Sequence, residues 1–218
     1  MIISILTLFP EMFTGPFNFS IIGRAIKQKK VILNLVNIRD FATDKYKSVD
    51  DHPYGGGVGM IMKIDVIDKA LTYVKSQMSN VKCQIILLDP KGKTYNHKHA
   101  KKFSKFDNLV LICGHYEGVD ERVKKLVDET ISIGGYVLTG GEIPAMVLVD
   151  SIVRLLPGVL KNPQATQNES FSAGLLEYPQ YTKPSNYKNM KVPEILLSGN
   201  HQAIAVWRKQ HAKHLPRV

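Results

Sequence analysis

Short apolar segments alternate with longer polar ones along the first 160 residues of the chain. Four segments have the length of strands and are rich in Ile, Val and Leu: 2–9, 31–38, 84–88 and 109–113. Because they are apolar almost without interruption, as strands covered on both faces are, they predict an α/β fold with a mainly parallel sheet and helices on both faces. Residues 64–77 and 96–106 are predicted as crossover helices.

One further helix is strongly marked. Pro144 suits a first helical turn, and helical spacing relates the apolar residues that follow it, which are Ala145, Met146, Val149, Ile152, Val153 and Leu156. Pro157 and Gly158 are expected to end this helix.

The amino-acid composition of the chain changes after residue 160. Residues 161–190 are polar and rich in turn formers, and such a long loop is rarely without a function. Residues 192–197 and 201–214 are predicted as two short helices, the second capped by Asn200. The predicted domains are therefore an α/β domain over 1–160, a linker over 161–190 and a small basic helical domain over 191–218.

Charge narrows the classes of partner. Twenty-nine Lys and Arg against 19 Asp and Glu give a formal net charge of +10, and residues 161–218 hold eight basic residues against three acidic ones. This surplus favours a polyanion, with nucleic acid ahead of membrane. No apolar run is long enough to span a membrane, and the first residues do not have the pattern of a signal peptide. We expect a soluble, cytoplasmic protein without a membrane partner.

Glycine-rich turns are the main candidates for a binding site. They occupy residues 54–60, 113–122 and 132–142, and the last two follow strand-like runs. The carboxyl ends of parallel strands are where such sheets bind ligands, with residues 88–90 as a further rim. Because Lys and Arg are sparse in these turns, the pocket suits an adenosine-like ligand better than a triphosphate. Gly92-Lys93-Thr94 resembles the end of a Walker loop, but Leu87 replaces the required glycine.

Metal and nucleophile chemistry receive little support from the sequence. The pairs His97/His99 and His211/His214 lack a carboxylate or cysteine at ligand spacing, so no metal site is predicted. Cys83 and Cys113 cannot build a disulfide framework or a four-thiolate zinc site and are expected to be small buried residues.

Five long motifs resemble one family, in order along nearly the whole chain. They are LFPEMF at 8–13, VDDHPYGGGVGM at 49–60, CGHYEGVDERV at 113–123, SIGGYVLTGGEIPAMVLVDSIVRLLPGVL at 132–160 and LLSGNH at 196–201. The chain resembles the TrmD family of bacterial tRNA (guanine-N1)-methyltransferases, which belongs to the SPOUT superfamily. The resemblance implies methyl transfer from S-adenosyl-L-methionine to N1 of the guanosine just 3′ of the anticodon, tRNA position 37. It also implies a homodimer with interface active sites, and a deep trefoil knot that fold rules alone would not propose.

Site residues follow from the resemblance, motif by motif. The cofactor would be held by Leu87, Leu88, Asp89, Pro90, Gly114, Tyr116, Glu117, Ile133, Gly134, Gly135, Tyr136, Val137, Leu138, Gly140, Gly141 and Pro144. RNA contacts are expected in the first glycine turn, from Tyr54, Gly55, Gly56, Gly57 and Gly59. The excess of basic residues after 160 adds expected phosphate contacts from Arg208, Lys209 and Lys213. Mg²⁺ is implied as a further requirement that acts through the RNA or a carboxylate.

Two residues match the catalytic positions of the family. Glu169 would take the proton from guanine N1 as a general base, and Arg154 would stabilise negative charge that develops on O6. Glu169 stands where the family has an aspartate, and Gly135 where it commonly has an acid. Without the resemblance, Arg154 could simply pair with Asp150 one turn earlier, and Glu169 could be an ordinary loop carboxylate.

Three other functions remain open at this point. The chain could methylate a different RNA guanosine, or it could bind RNA without turnover. A small-molecule nucleotide-binding module is the third alternative, but it leaves the net charge of +10 unexplained.

Overall fold

A computed structural model describes residues 1–78, 81–162, 166, 169–171 and 174–214. The chain divides into two compact units, Met1–Lys161 and Asn162–Val218. None of the helices in these described residues is long and apolar enough to cross a membrane.

The first unit is built on a sheet of five parallel strands. Its strands and two short additional ones are β1 (Ile2–Thr7), β2 (Ile32–Asn37), β3 (Asp50–Asp51), β4 (Ile61–Met62), β5 (Cys83–Thr94), β6 (Asn108–Cys113) and β7 (Glu129–Ser132). The sheet order is β2-β1-β6-β5-β7, and every neighbouring pair in it is parallel. β3 and β4 form a separate antiparallel pair.

Helices connect these strands. They are α1 (Thr14–Phe17), α2 (Ser20–Lys27), α3 (Ile64–Ser76), α4 (His97–Phe103) and α5 (Glu142–Val153). Three 3₁₀ segments lie at Pro10–Phe13, Ile38–Phe41 and Glu121–Lys125. Asn96 caps α4 in a capping box with His99, which explains where that helix begins.

Alternate residues of the sheet enter two separate apolar cores. In β6, Leu109, Leu111 and Cys113 join a core with α4 and α5. Val110 and Ile112 join a core with α3 on the other face. The α/β prediction, with a mainly parallel sheet and helices on both faces, is thus confirmed. The trefoil knot stays a prediction.

β5 and α5 show how the elements of the first unit depart from their predicted bounds. β5 continues past residue 88 to Thr94 through an irregularity in its pairing with β7. Gly92 allows the two strands to approach each other closely, since a Cβ on Gly92 would lie 2.6 Å from the backbone N of Ile131. α5 begins two residues before Pro144 and ends at Val153 rather than beside Pro157. Leu155 and Leu156 instead donate to the carbonyls three residues back, the tighter spacing of a 3₁₀ turn.

The second unit combines short helices with two-residue strands. It contains β8 (Leu175–Leu176), β9 (Asn186–Tyr187), β10 (Met190–Lys191), α6 (Glu194–Leu197), α7 (His201–His211) and β11 (Lys213–His214). The Asn200 side chain accepts from the Ala203 amide, as a helix cap does. α7 is shorter than predicted because residues 213–214 pair with β8. The predicted linker therefore contains strands, and its residues 163–165, 167–168 and 172–173 lie outside the described chain.

Candidate functional site

A cavity of about 350 Å³ opens at the irregular part of β5, residues 88–91, and at the carboxyl ends of β6 and β7. This stretch of β5 and the loops that follow β6 and β7 form its walls, at the edge where parallel sheets bind ligands. Its lining residues are Leu88, Asp89, Pro90, Lys91, Gly114, His115, Tyr116, Glu117, Gly118, Val119, Glu121, Ile131, Ser132, Ile133, Gly134, Tyr136, Val137, Leu138, Thr139, Gly140, Gly141 and Pro144.

Most of the residues predicted to hold a cofactor lie together in this lining. Two do not: Leu87 is fully buried in the core on the α3 side, and Gly135 is not among the described lining residues. Leu87 points away from the cavity because it alternates with Leu88 along β5. Sequence reasoning gave no individual role to Lys91 and Glu121, which also line the cavity.

The loops after β6 and β7 are joined through their backbones. The Gly141 amide donates to the Gly114 carbonyl at 2.8 Å, and His115 and Gly140 form an antiparallel bridge. A Cβ on Gly141 would lie 2.6 Å from the Cα of Cys113, so only glycine permits this approach. The two loops are therefore held together by backbone contacts that require glycine.

A buried carboxylate ties the start of α5 to β1. Glu142 is 2% exposed and accepts a hydrogen bond of 2.7 Å from the Thr7 hydroxyl. The amino-terminal turn of a helix also favours a negative side chain. Burial, and secondarily the neighbouring Glu142, raises the pKa of the Cys113 thiol well above its ordinary value. Cys113 is therefore a protonated core residue rather than a nucleophile.

His115 presents an unused polar atom at the cavity. Its Nδ1 is buried and has no hydrogen-bond partner among the described residues. The ring packs against Phe9 and Tyr116, each with a centroid distance of 5.0 Å. A buried polar atom without a partner is costly, so this histidine is held in place by its packing.

The glycine turn at residues 54–60 lies beside the cavity. The Glu117 amide donates to the Met60 carbonyl, and the Met62 amide donates to the Gly118 carbonyl, both at 3.0 Å. Gly55, Gly56, Gly57 and Gly59 all have positive φ, and the Tyr54 side chain is fully exposed. An exposed aromatic ring on this loop, next to the cavity, is suited to contact with a second, larger ligand.

Asp120 shapes the turn that leaves the cavity. Its carboxylate accepts from the Arg122 backbone amide and from both Nε and Nη2 of the Arg122 guanidinium. The hydrogen bond from the Arg122 side chain lowers the pKa of Asp120, so this pair stays charged at neutral pH.

The two predicted catalytic residues belong to different units. Arg154 is the residue at the carboxyl end of α5 in the first unit, and it is half-buried. Glu169 is half-buried in the second unit. Their roles stay predictions. Within the part of the chain that the structure describes, no three His, Cys, Asp or Glu side chains are grouped for a metal ion.

Basic side chains mark the second unit. Arg208 and Lys209 are exposed near the end of α7, and Lys213 is exposed in β11. The Arg208 guanidinium lies over the Tyr178 ring, 4.9 Å from its centroid.

Comparison with known proteins decides the family. The family model described as tRNA (Guanine-1)-methyltransferase TrmD matches residues 1–217. The chain belongs to the TrmD family. The resemblance found in the sequence is confirmed.

Curated relatives agree along almost the whole chain. It is 55% identical over 210 residues to a tRNA (guanine-N(1)-)-methyltransferase of Dictyoglomus turgidum, covering 96% of this chain and 84% of the relative. A protein of that name from Lactobacillus johnsonii is also 55% identical, with 96% and 85% covered. One from Syntrophomonas wolfei is 52% identical, with 96% and 84% covered.

Proposed function

We propose that this TrmD-family chain transfers a methyl group from S-adenosyl-L-methionine to N1 of the guanosine just 3′ of the anticodon in tRNA. The observation that supports it most is the cavity built from glycine-rich strand ends in a chain of this family. We place the reaction in the cytoplasm, on tRNA.

The cavity residues would hold the methyl donor. Gly114, Gly140 and Gly141 line the cavity, and without side chains their backbone groups can approach an adenosine closely. When bound, S-adenosyl-L-methionine supplies a methyl group that its sulfonium already activates. The protein then has to align that donor with the acceptor base, and a rigid backbone wall suits this task.

Two side chains complete the proposed chemistry. Guanine N1 carries a proton, and Glu169 would accept it as general base. Arg154 would donate hydrogen bonds to O6, where negative charge grows as that proton leaves. Glu169 is one methylene longer than the aspartate of the family pattern, which extends the reach of its carboxylate. Mg²⁺ enters the proposal as a requirement that acts through the RNA or a carboxylate.

A second copy of the chain completes the proposed enzyme. Ile143 and Val147 lie one turn apart on α5 and are 47% and 41% exposed, and Val137 in the cavity loop is 83% exposed. Exposed apolar side chains on one helix face are typical of a subunit interface. We propose a homodimer with the active sites at this interface.

Substitution of Arg154 tests the proposed mechanism. In Arg154→Ala, methyl transfer to tRNA should fall by at least about a hundredfold, the cost of losing one donor to a developing oxyanion. Affinity for S-adenosyl-L-methionine, measured by isothermal titration, should stay near that of the wild type because Arg154 is assigned to the acceptor. Arg24→Ala, an exposed arginine on α2, is the matched control. Unchanged turnover in Arg154→Ala would refute the role.

A further inference from the structure

The second unit contains a cavity of its own, about 360 Å³ in volume. The described residues that line it run from 178 to 208, within the second unit. Tyr178 and Tyr181 contribute aromatic walls, and Leu196 and Ile204 contribute apolar ones. The cavity is close in volume to the one in the first unit, yet the proposed chemistry does not use it.

Aromatic and cationic groups are arranged together around this cavity. The Arg208 guanidinium lies over one face of Tyr178, at 4.9 Å from the ring centroid. Tyr181 is 51% exposed, and its ring centroid lies 6.5 Å from that of Trp207 at an interplanar angle of 58°. About half of the surface of this residue is therefore open, and Trp207 lies beside its ring at an angle.

Charge selects the class of ligand. Lys183 and Arg208 are both exposed and both line the cavity, and none of the described lining residues is an aspartate or glutamate. A planar apolar group with an anion attached matches this set. A nucleotide has that chemistry, because its base stacks on aromatic rings and its phosphate pairs with Lys or Arg.

We propose that this cavity binds an unpaired nucleotide of the RNA substrate, one other than the methyl acceptor. The base stacks on Tyr181, and Lys183 and Arg208 contact the adjoining phosphates. The proposal rests on the proposed function, since it takes RNA as the substrate. It assigns a stacking site to the second unit in addition to the exposed cations predicted there.

Trp207 provides a direct reporter for the test. It is the only tryptophan of the chain and lies next to Tyr181. We expect its fluorescence to change when the full chain is titrated with an unmodified tRNA transcript. Tyr181→Leu should weaken tRNA binding by about tenfold, the order found for the loss of one base-stacking ring. Tyr181→Phe keeps the ring and should bind tRNA as the wild type does.

A matched control separates stacking from general damage to the unit. Tyr187 is 55% exposed on β9 and is not among the described cavity residues, so Tyr187→Leu should leave tRNA affinity unchanged. Equal losses in Tyr181→Leu and Tyr187→Leu, or no loss in Tyr181→Leu, would overturn the proposal. If Tyr181→Leu does not fold, wild-type protein crosslinked to a 4-thiouridine transcript decides: adducts should map to peptides within 178–208, and their absence there overturns it.

Methyl transfer, measured in parallel, distinguishes the stacking site from the proposed function on which it rests. If the wild type methylates tRNA and Tyr181→Leu binds tRNA normally, the stacking site is refuted and the proposed reaction stands. If tRNA binding depends on Tyr181 but no methyl group is transferred, the proposed reaction is refuted and the stacking site stands.

Discussion

Gly140 illustrates how closely single residues fit at the cavity wall. A Cβ at this position would lie 2.4 Å from Oε2 of Glu142 and 2.7 Å from Nδ1 of His115. Real Cβ atoms do not approach other atoms so closely, and Glu142 is held by Thr7. The bridge between Gly140 and His115 would therefore have to open to admit a side chain.

Gly140→Ala should accordingly lower affinity for S-adenosyl-L-methionine by about tenfold, because displacement of the loop misplaces the backbone groups that face the ligand. Isothermal titration measures the effect. Gly15→Ala is the control, since no atom lies within 4 Å of a Cβ there and φ is not positive. Equal affinity in Gly140→Ala and the wild type would show that the loop is not part of the cofactor site.

The two cysteines differ in how deeply they are buried. Burial raises the pKa of Cys113 well above its ordinary value, and Cys113 is 0% exposed. Burial also raises the pKa of Cys83, but this residue is only half-buried. A raised thiol pKa means less thiolate at a given pH, and thiolate is the species that alkylating agents attack.

We therefore expect iodoacetamide at about pH 8 to modify Cys83 slowly in the native protein, and Cys113 only after denaturation. Peptide mass spectrometry gives the site of each adduct. Modification of Cys113 before Cys83 would contradict the packing described for β6.

At the scale of elements, much of the sheet was predictable and its cross-connections were not. Apolar runs predicted β1, β2, β5 and β6, because strands buried on both faces carry apolar residues at nearly every position. The bond between Thr7 and Glu142 joins residues 135 positions apart, and no local pattern indicates it. β8 and β11 are two residues each, too short to show a period.

The candidate site likewise has features that local sequence patterns predict and features that they do not. Glycine turns after strands predicted a pocket of backbone walls, since strand polarity places such turns at one edge of the sheet. The His115 ring, whose buried Nδ1 has no partner among the described residues, packs against Phe9, which follows a different strand. The specific roles of Glu169 and Arg154 came from family motifs and remain predictions.

Thr7 provides the test of the link between β1 and α5. Thr7→Val preserves shape but leaves the buried Glu142 without its hydroxyl donor, which should lower the free energy of unfolding by about 1–3 kcal/mol. Denaturant titration measures this change. Thr14→Val removes an exposed hydroxyl that donates to the Glu11 carbonyl, and it should change stability by no more than about 0.5 kcal/mol. Equal stabilities of the two variants would refute the importance of the link.

At the scale of the molecule, the positive charge is the clearest link to a polyanionic substrate. A formal net charge of +10 predicts that tRNA affinity falls as the salt concentration rises, because Lys and Arg side chains that bind phosphates displace the counterions of the RNA. Lys209 is exposed near the end of α7, and we expect it to contact one phosphate.

Lys209→Ala should therefore reduce the slope of log affinity against log salt by about one, with little dependence on RNA sequence. Filter binding over a range of salt concentrations gives the slope. Lys69→Ala serves as the control, since Lys69 lies on α3 in an ion pair with Asp65. A slope that is the same in Lys209→Ala and the wild type would remove Lys209 from the RNA interface.

Methyl transfer to N1 of one guanosine is the activity that the whole molecule is proposed to serve. Its most direct test incubates the full chain with labelled S-adenosyl-L-methionine and two unmodified tRNA transcripts that differ only in guanosine or adenosine just 3′ of the anticodon. We predict label on the guanosine transcript alone, located at N1 by nucleoside analysis. Equal label on both transcripts, or label on neither despite cofactor binding, would contradict the account.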